Sequence, residues 1–372
     1  MTHAFGECEL DEALFQLRRR GEIVKLEPKI FDVLAARLWA CLGPDRLDER
    51  FAVATQILDL AAEQHDPLMA LIGHEGVIVG QLFRGDMLAA ERAMSAYDRV
   101  ARELRQPAYV FLSTFTQGSR ALARGEFARA EQLFRDALAL GRGAVPYAHF
   151  MYAGQMYPLQ YLRGIDADVE LDRVFFGEMM ELPYSWEPAV RSALAFAHFL
   201  RGDPEAARRD FEGLARYGFD DIRRDEHWLL TLGSLSWVAI ALEDELRAER
   251  LYDLLAPYAD LIFVHPLLRS IGNGVASTLG GLATTLERYD DGAAHYQSGM
   301  AKEEAMGNVT ALVDSRFGYA RLLYRRQQPG DRRKADSLTA EAKATMAALG
   351  ILRDWQLVVL ETELSRMRAR RT

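Results

Sequence analysis

Along most of the chain apolar positions recur at three- and four-residue spacing, and the blocks they form are separated by short polar breaks. The breaks read Gly85-Asp86, Gly125-Glu126, Gly164-Ile165, Gly202-Asp203 and, less sharply, Glu243-Asp244 and Arg288-Tyr289. They lie 38 to 45 residues apart, and most are followed by an Ala-x-x-x-aromatic step. The step reads Ala130/Phe134, Ala207/Phe211 and Ala248/Tyr252, with weaker versions at Ala90/Met94 and Gly292/Tyr296. A period of this size predicts stacked two-helix hairpins, because one hairpin cannot bury its apolar face alone and leans on its neighbours. An entry helix is expected over 45–63, followed by seven pairs: 67–84 with 87–105, 107–124 with 126–140, 147–163 with 166–182, 187–201 with 204–217, 225–242 with 245–257, 266–286 with 290–306, and 308–326 with 332–349.

One corner shows the local physics. Gly202 can take the left-handed conformation that ends a helix, Asp203 can accept the free amides of the next one, and Pro204 suits a first turn where no N–H is needed. In the second pair Phe127, Ala130, Phe134, Ala137 and Leu138 share one helix face, and the small alanine lets the preceding helix come close.

Residues 1–40 follow a different pattern. Cys8 and Leu10, then Phe15 and Leu17, then Val24 and Leu26 alternate with polar residues, with a turn at Gly21-Glu22. That period predicts a small three-stranded antiparallel patch. A helix follows, with Pro28 in its first turn and Ile30, Phe31, Val33, Leu34 and Leu38 as its buried face.

Two resemblances rest on these residues. Phe5-Gly6-Glu7-Cys8-Glu9-Leu10-Asp11, Leu17-Arg18-Arg19-Arg20-Gly21 and Leu26-Glu27-Pro28-Lys29-Ile30-Phe31-Asp32-Val33-Leu34 resemble the start of the response-regulator type of winged-helix DNA-binding domain. The family places a recognition helix and a wing next, but here Gly43-Pro44-Asp45 leads into repeat-like helices. Residues 1–42 are therefore expected to be a truncated remnant that caps the first helices. Gly118, Phe127, Ala130, Phe134 and Ala137 match the tetratricopeptide pattern. The longer repeats look like the C-terminal arrays of maltose-regulator and LuxR-type activators and of cyclase-linked ATPase regulators; Tyr252-Asp253-Leu254-Leu255-Ala256-Pro257-Tyr258 and Glu287-Arg288-Tyr289-Asp290 carry that likeness. It implies an all-α, tetratricopeptide-like right-handed superhelix of about seven hairpins over 43–360, with a basic C-terminal tail over 361–372.

Composition narrows the chemistry. A net charge of −9 gives no global basic field for a polyphosphate. Cys8 and Cys41 have neither pairing logic nor metal spacing, which suits a reducing cytoplasm. No apolar run approaches the roughly 18 residues of a membrane helix, and the first residues lack a signal-peptide layout. A soluble cytoplasmic protein is expected.

No Gly-x-x-x-x-Gly-Lys-Ser/Thr loop is present, so the ATPase of the related regulators is expected to be missing. Gly272-Asn273-Gly274 with Gly280-Gly281 is read as helix packing glycine, since no strand precedes it. His74-Glu75 fails as a zinc-protease motif because Ile78 stands where the second histidine belongs. Asp166 with Asp168, and Asp220 with Asp221, read as caps and solvated charge. Arg366, Arg368, Arg370 and Arg371 read as a frayed tail. No catalytic, cofactor or metal residue is expected.

The first helices of such an array line its concave face. Carrying the register of Gly118 along the chain, and adding the aromatic third pair, points Phe115, Leu122, Met151, Tyr152, Tyr157, Tyr161, Phe196, Phe199, Trp237 and Ile240 toward a groove. Each is equally open to a reading as core between repeats. Pro158 is expected to kink its helix and release a carbonyl. Three functions follow. The first is a non-enzymatic scaffold holding a protein or peptide partner in the groove. The second is a sensor or sequestering protein for a small hydrophobic or aromatic ligand, favoured if Tyr152, Tyr157, Phe196 and Trp237 enclose a pocket. The third is a DNA-linked regulator using Arg18, Arg19, Arg20, Lys25 and Lys29.

Overall fold

Polar breaks and apolar faces both materialise in the computed structural model, which describes residues 2–5, 8–11, 16–19, 22–23, 27–166, 171, 173–177, 187–265 and 269–369. The chain begins with strands β1 (Thr2–Phe5), β2 (Cys8–Asp11), β3 (Gln16–Arg19) and β4 (Glu22–Ile23), an antiparallel meander in that order. The expected patch had three strands. Phe15, Gly21, Val24 and Leu26, on which part of that reading rested, lie outside the described residues.

Helices follow: α1 (Glu27–Ala40), α2 (Leu47–Gln64), α3 (Pro67–Arg84), α4 (Met87–Leu104), α5 (Pro107–Ala123), α6 (Phe127–Gly141), α7 (Ala148–Leu162), α8 (Glu187–Leu200), α9 (Pro204–Ala215), α10 (Trp228–Leu242) and α11 (Glu245–Leu255). After strands β5 (Ile262–His265) and β6 (Ser270–Gly274) come α12 (Val275–Thr285), α13 (Tyr289–Ala305), α14 (Val309–Arg326), α15 (Asp331–Leu349) and α16 (Trp355–Ala369). The chain is all-α apart from the two small sheets. Sequential helices pack as hairpins, most closely in α2/α3, α3/α4, α5/α6, α8/α9, α12/α13 and α14/α15. The helix expected over 166–182 falls largely outside the described residues, within which only the one-turn π-helix Arg173–Gly177 is formed.

The corners form as their residues dictate. Gly202 has φ +78°, Asp203 accepts the Ala206 N–H at 2.9 Å, and Pro204 opens α9. Removing that cap by Asp203→Ala is expected to cost about 1 kcal/mol, read as a lower urea midpoint with unchanged slope. Within the second pair a Cβ on Gly118 would lie 2.6 Å from the Phe134 ring, so only glycine admits the contact between α5 and α6.

Two expectations are corrected. Residues 269–274 do not start a helix: β5 and β6 pair antiparallel, with Val264 opposite Ile271, and the next helix begins only at Val275; residues 266–268 lie outside the described residues. The β-branched and aromatic run Ile262-Phe263-Val264 favours an extended chain, and Gly272 and Gly274 weaken any helix through them. The supposed tail is helical to Ala369. Arg366 of α16 meets Glu243 at 3.2 Å, and Glu243 also binds Arg321 and Arg325 of α14 at 3.1 and 2.6 Å. Arg370 and Arg371 lie outside the described residues.

The second half of the chain lies against the first. Arg269 pairs with Glu75 at 2.7 Å, Arg120 reaches the Gly307 carbonyl at 3.4 Å, and Arg353 pairs with Asp166 at 2.9 Å, across 194, 187 and 187 residues. The Leu352 and Arg353 amides both donate to the Leu162 carbonyl, at 2.7 and 3.2 Å. Between the halves sits the β5–β6 hairpin, which touches α3, α5, α10, α12, α13 and α14. All four residues of β5 are buried. Helix α10 therefore has neighbours on every side, which explains why Trp228–Leu242 is apolar all round.

Candidate functional site

Where α5, α7, α8 and α10 converge on the hairpin, a cavity of about 300 Å³ remains. Its walls are Leu122 and Ser119 from α5, Tyr157 and Pro158 from α7, Ala193 and Phe196 from α8, Thr231, Ser234 and Trp237 from α10, and Ile271 from β6. A side chamber of about 170 Å³ continues past Phe196, Trp237 and Ile271, and its floor is made by Asn273, Asp314 and Trp355. The rings interlock: Phe196 lies 5.1 Å from Trp237 and 5.5 Å, edge-on, from Trp355, while Trp237 meets Phe263 of β5 at 5.9 Å. Trp237 Nε1–H donates to Thr278 at 3.1 Å, which holds the indole upright in the wall.

Helix α7 runs through Pro158 to Leu162. Proline has no N–H to give the Gly154 carbonyl, so a main-chain acceptor without its helical donor stands in the cavity wall, where Gly154 and Pro158 both lie. At the opposite end His227 and His265 sit with ring centres 5.0 Å apart. Burial, reinforced by the nearby His227, pushes His265 down to about 3, and burial lowers His227 as well. Both imidazoles are thus neutral at physiological pH. No lysine or arginine lines the cavity or its chamber among the described residues.

The groove residues read from the sequence divide. Leu122, Tyr157, Phe196 and Trp237 line the cavity, and Tyr161 lines the chamber. Phe199 stacks behind Phe196 at 6.3 Å, and Tyr152 is half-buried beside the core of the second and third pairs. Phe115, Met151 and Ile240 are core. Phe115 packs between Phe111 and Phe134 at 5.6 and 5.2 Å, because it faces the second helix of its own pair, and Ile240 fills the space beside Gly281.

Other candidates resolve into structure. Glu75 holds Arg269, Asp166 holds Arg353 and Asp220 holds Arg250. Asp168 lies outside the described residues, as do Arg20 and Lys25; Arg18 and Arg19 lie on β3 and Lys29 on α1. Gly272-Asn273-Gly274 belongs to β6, and the Asn308 amide donates to the Gly272 carbonyl at 2.8 Å.

Sequence reasoning missed the acids. Asp354 is buried and Asp314 half-buried beside the chamber, and Glu303 of α13 is buried under the end of β6. Asp314 carried a local signal, since it lies three residues from both Ala311 and Phe317 on the buried side of α14. Asp354 carried no such signal. Among the described residues no three His, Cys, Asp or Glu side chains are grouped to hold a metal ion, and no helix is long and apolar enough to cross a membrane. Compared with known proteins, the chain matches no family model and no curated sequence.

Proposed function

We propose that this chain is a non-enzymatic, intracellular regulatory protein of tetratricopeptide-like, right-handed superhelical build that binds a small, largely apolar molecule in the cavity between its first helices. The observation that carries the reading is the cavity itself: about 300 Å³, walled by Tyr157, Phe196 and Trp237 and edged by a few hydroxyls. Such a space suits an organic ligand, with polar groups left to orient it. The superhelix is supported by contacts that join the two halves across 187 to 213 residues, about five hairpins of the observed period.

A polypeptide laid along the concave face is the less favoured partner. The β5–β6 hairpin already packs on first helices α3, α5, α10, α12 and α14, where such a peptide would lie. A DNA role draws no support from the helical region.

The test is a titration with N-phenyl-1-naphthylamine, a neutral fluorophore that brightens in apolar surroundings. One saturable site is expected in the native protein. Ala193→Phe, which pushes a ring into the space, is expected to weaken binding by at least about tenfold while the far-ultraviolet circular dichroism stays unchanged. Equal binding by the two proteins, or no binding by the native one, would remove the cavity from consideration.

A further inference from the structure

The floor of the side chamber differs chemically from its walls. Asp314 of α14 accepts the Trp355 indole N–H at 2.9 Å and the Asn273 amide at 3.3 Å. Against it stands Asp354, whose Oδ1 caps α16 by accepting the Leu357 N–H at 2.9 Å. Asp354 is 2% exposed, and its Oδ2 has no donor. The two carboxyls are in hydrogen-bond contact with each other. Two carboxylates this near in a dry interior cannot both be ionised. Burial first, then the charge of Asp314, raise Asp354 well above the ordinary carboxylate range, so of the two it is Asp354 that holds the proton and Asp314 that is left to face a ligand's positive charge.

Among the described residues no lysine or arginine lines the chamber to answer a charge on Asp314. The Arg353 guanidinium pairs with Asp166 at the rim. His227 and His265 are neutral, Glu303 adds only another buried acid, and Tyr161 is kept a neutral phenol by burial and by the same two aspartates. Around the acid pair stand the rings of Tyr161, Phe196, Trp237 and Trp355, whose negative faces attract positive charge. The Gly154 carbonyl adds a second acceptor to the wall.

We propose that the ligand is a cation: an aryl- or alkyl-ammonium whose apolar body fills the cavity and whose nitrogen enters the side chamber to donate to Asp314 between the aromatic rings. This inference rests on the small-molecule reading above and names the class of molecule it takes. A donor-only head group matches a site that offers acceptors and π faces but no cation.

Calorimetric titration of the full chain with 4-phenylbutylamine and, separately, 4-phenylbutanol tests it. The amine is expected to bind at least about tenfold more tightly than the alcohol, the gain of a charge-assisted hydrogen bond in a dry site. Asp314→Asn is expected to bring the amine down to the alcohol's affinity and leave the alcohol unchanged. Asp314→Ser is expected to act in the same direction and serves if Asp314→Asn does not fold. An alcohol that binds the native protein as tightly as the amine overturns the cationic assignment and leaves the cavity reading standing. An amine preference that survives in a folded Asp314 variant overturns it too. Failure of both molecules to bind overturns both readings.

Discussion

Gly299→Ala is expected to destabilise the protein by about 3 kcal/mol or more, the upper end of what overpacking costs. A Cβ on Gly299 would lie 2.1 Å from the Ser277 hydroxyl and 2.7 Å from the Ser277 main-chain nitrogen. The hydroxyl could rotate away, but the nitrogen belongs to the first turn of α12, so α12 and α13 would have to separate. Those helices hold the end of β6, and β6 supplies one wall of the cavity. Urea unfolding should therefore show a much lower midpoint, and binding of N-phenyl-1-naphthylamine should weaken in parallel. Gly213→Ala is the internal control. Gly213 is an exposed position on α9 with only the Arg191 guanidinium within 4 Å, at 3.3 Å, and the same change there is expected to be neutral or stabilising by up to about 1 kcal/mol. A loss at Gly299 below about 1 kcal/mol would mean that the two helices part easily, contrary to the tight packing of protein interiors.

The hairpin scaffold was legible because its cues are local. Gly202-Asp203-Pro204 spells a corner in three residues, and Gly118 with Phe134 spells a close helix contact within one pair. The boundaries of the helices on either side of each such corner follow within three residues of those read from the pattern. The β5–β6 hairpin was hidden for the opposite reason. Its extended run Ile262-Phe263-Val264 is short, and the repeat period invited a helix where the chain turns inward. The cavity depends on what arrives from about 190 residues away, which no local spacing encodes. Leu122, Tyr157, Phe196 and Trp237 line the cavity whereas Phe115, Met151 and Ile240 are core, and the sequence left both readings open for each, because spacing along one helix does not say which neighbour packs on which face. The acids were missed because a carboxylate in a helix reads as solvated charge until its surroundings are known.

These missed acids bind the fold to the site. Glu303 Oε1 accepts the Gly274 N–H at 3.0 Å and the Ser277 hydroxyl at 2.9 Å, joining the end of β6 and the start of α12 to α13. Asn273, one residue earlier, reaches Asp314. The hairpin that fills the hollow is thus pinned at its base by two carboxyls, and a change in either should be felt in the shape of the chamber. That coupling gives the charge state of Glu303 a consequence beyond stability.

Glu303→Gln is expected to gain stability relative to the native protein as pH rises from 5 to 8.5, by several kcal/mol across the range. Burial raises the Glu303 carboxyl to about 8, outweighing the donors from Gly274, Ser315 and Ser277 that favour its ionised form. In the unfolded chain the same group titrates near 4.5. Between these values the folded state holds one more proton than the unfolded state, so native stability falls with rising pH. The contribution is complete below about pH 4.5 and has been lost once pH passes about 8, at roughly 1.4 kcal/mol for each unit between. Glutamine cannot titrate, and its Oε1 can keep both hydrogen bonds, so the variant lacks this slope. Asp314 and Asp354, also raised by burial, contribute slopes of the same sign to both proteins and cancel in the comparison. Unfolding free energies from urea titrations at each pH should therefore diverge, with the native curve falling more steeply. Parallel curves would show that Glu303 is ionised in the folded protein and that β6 is anchored by a charge instead of a neutral acid.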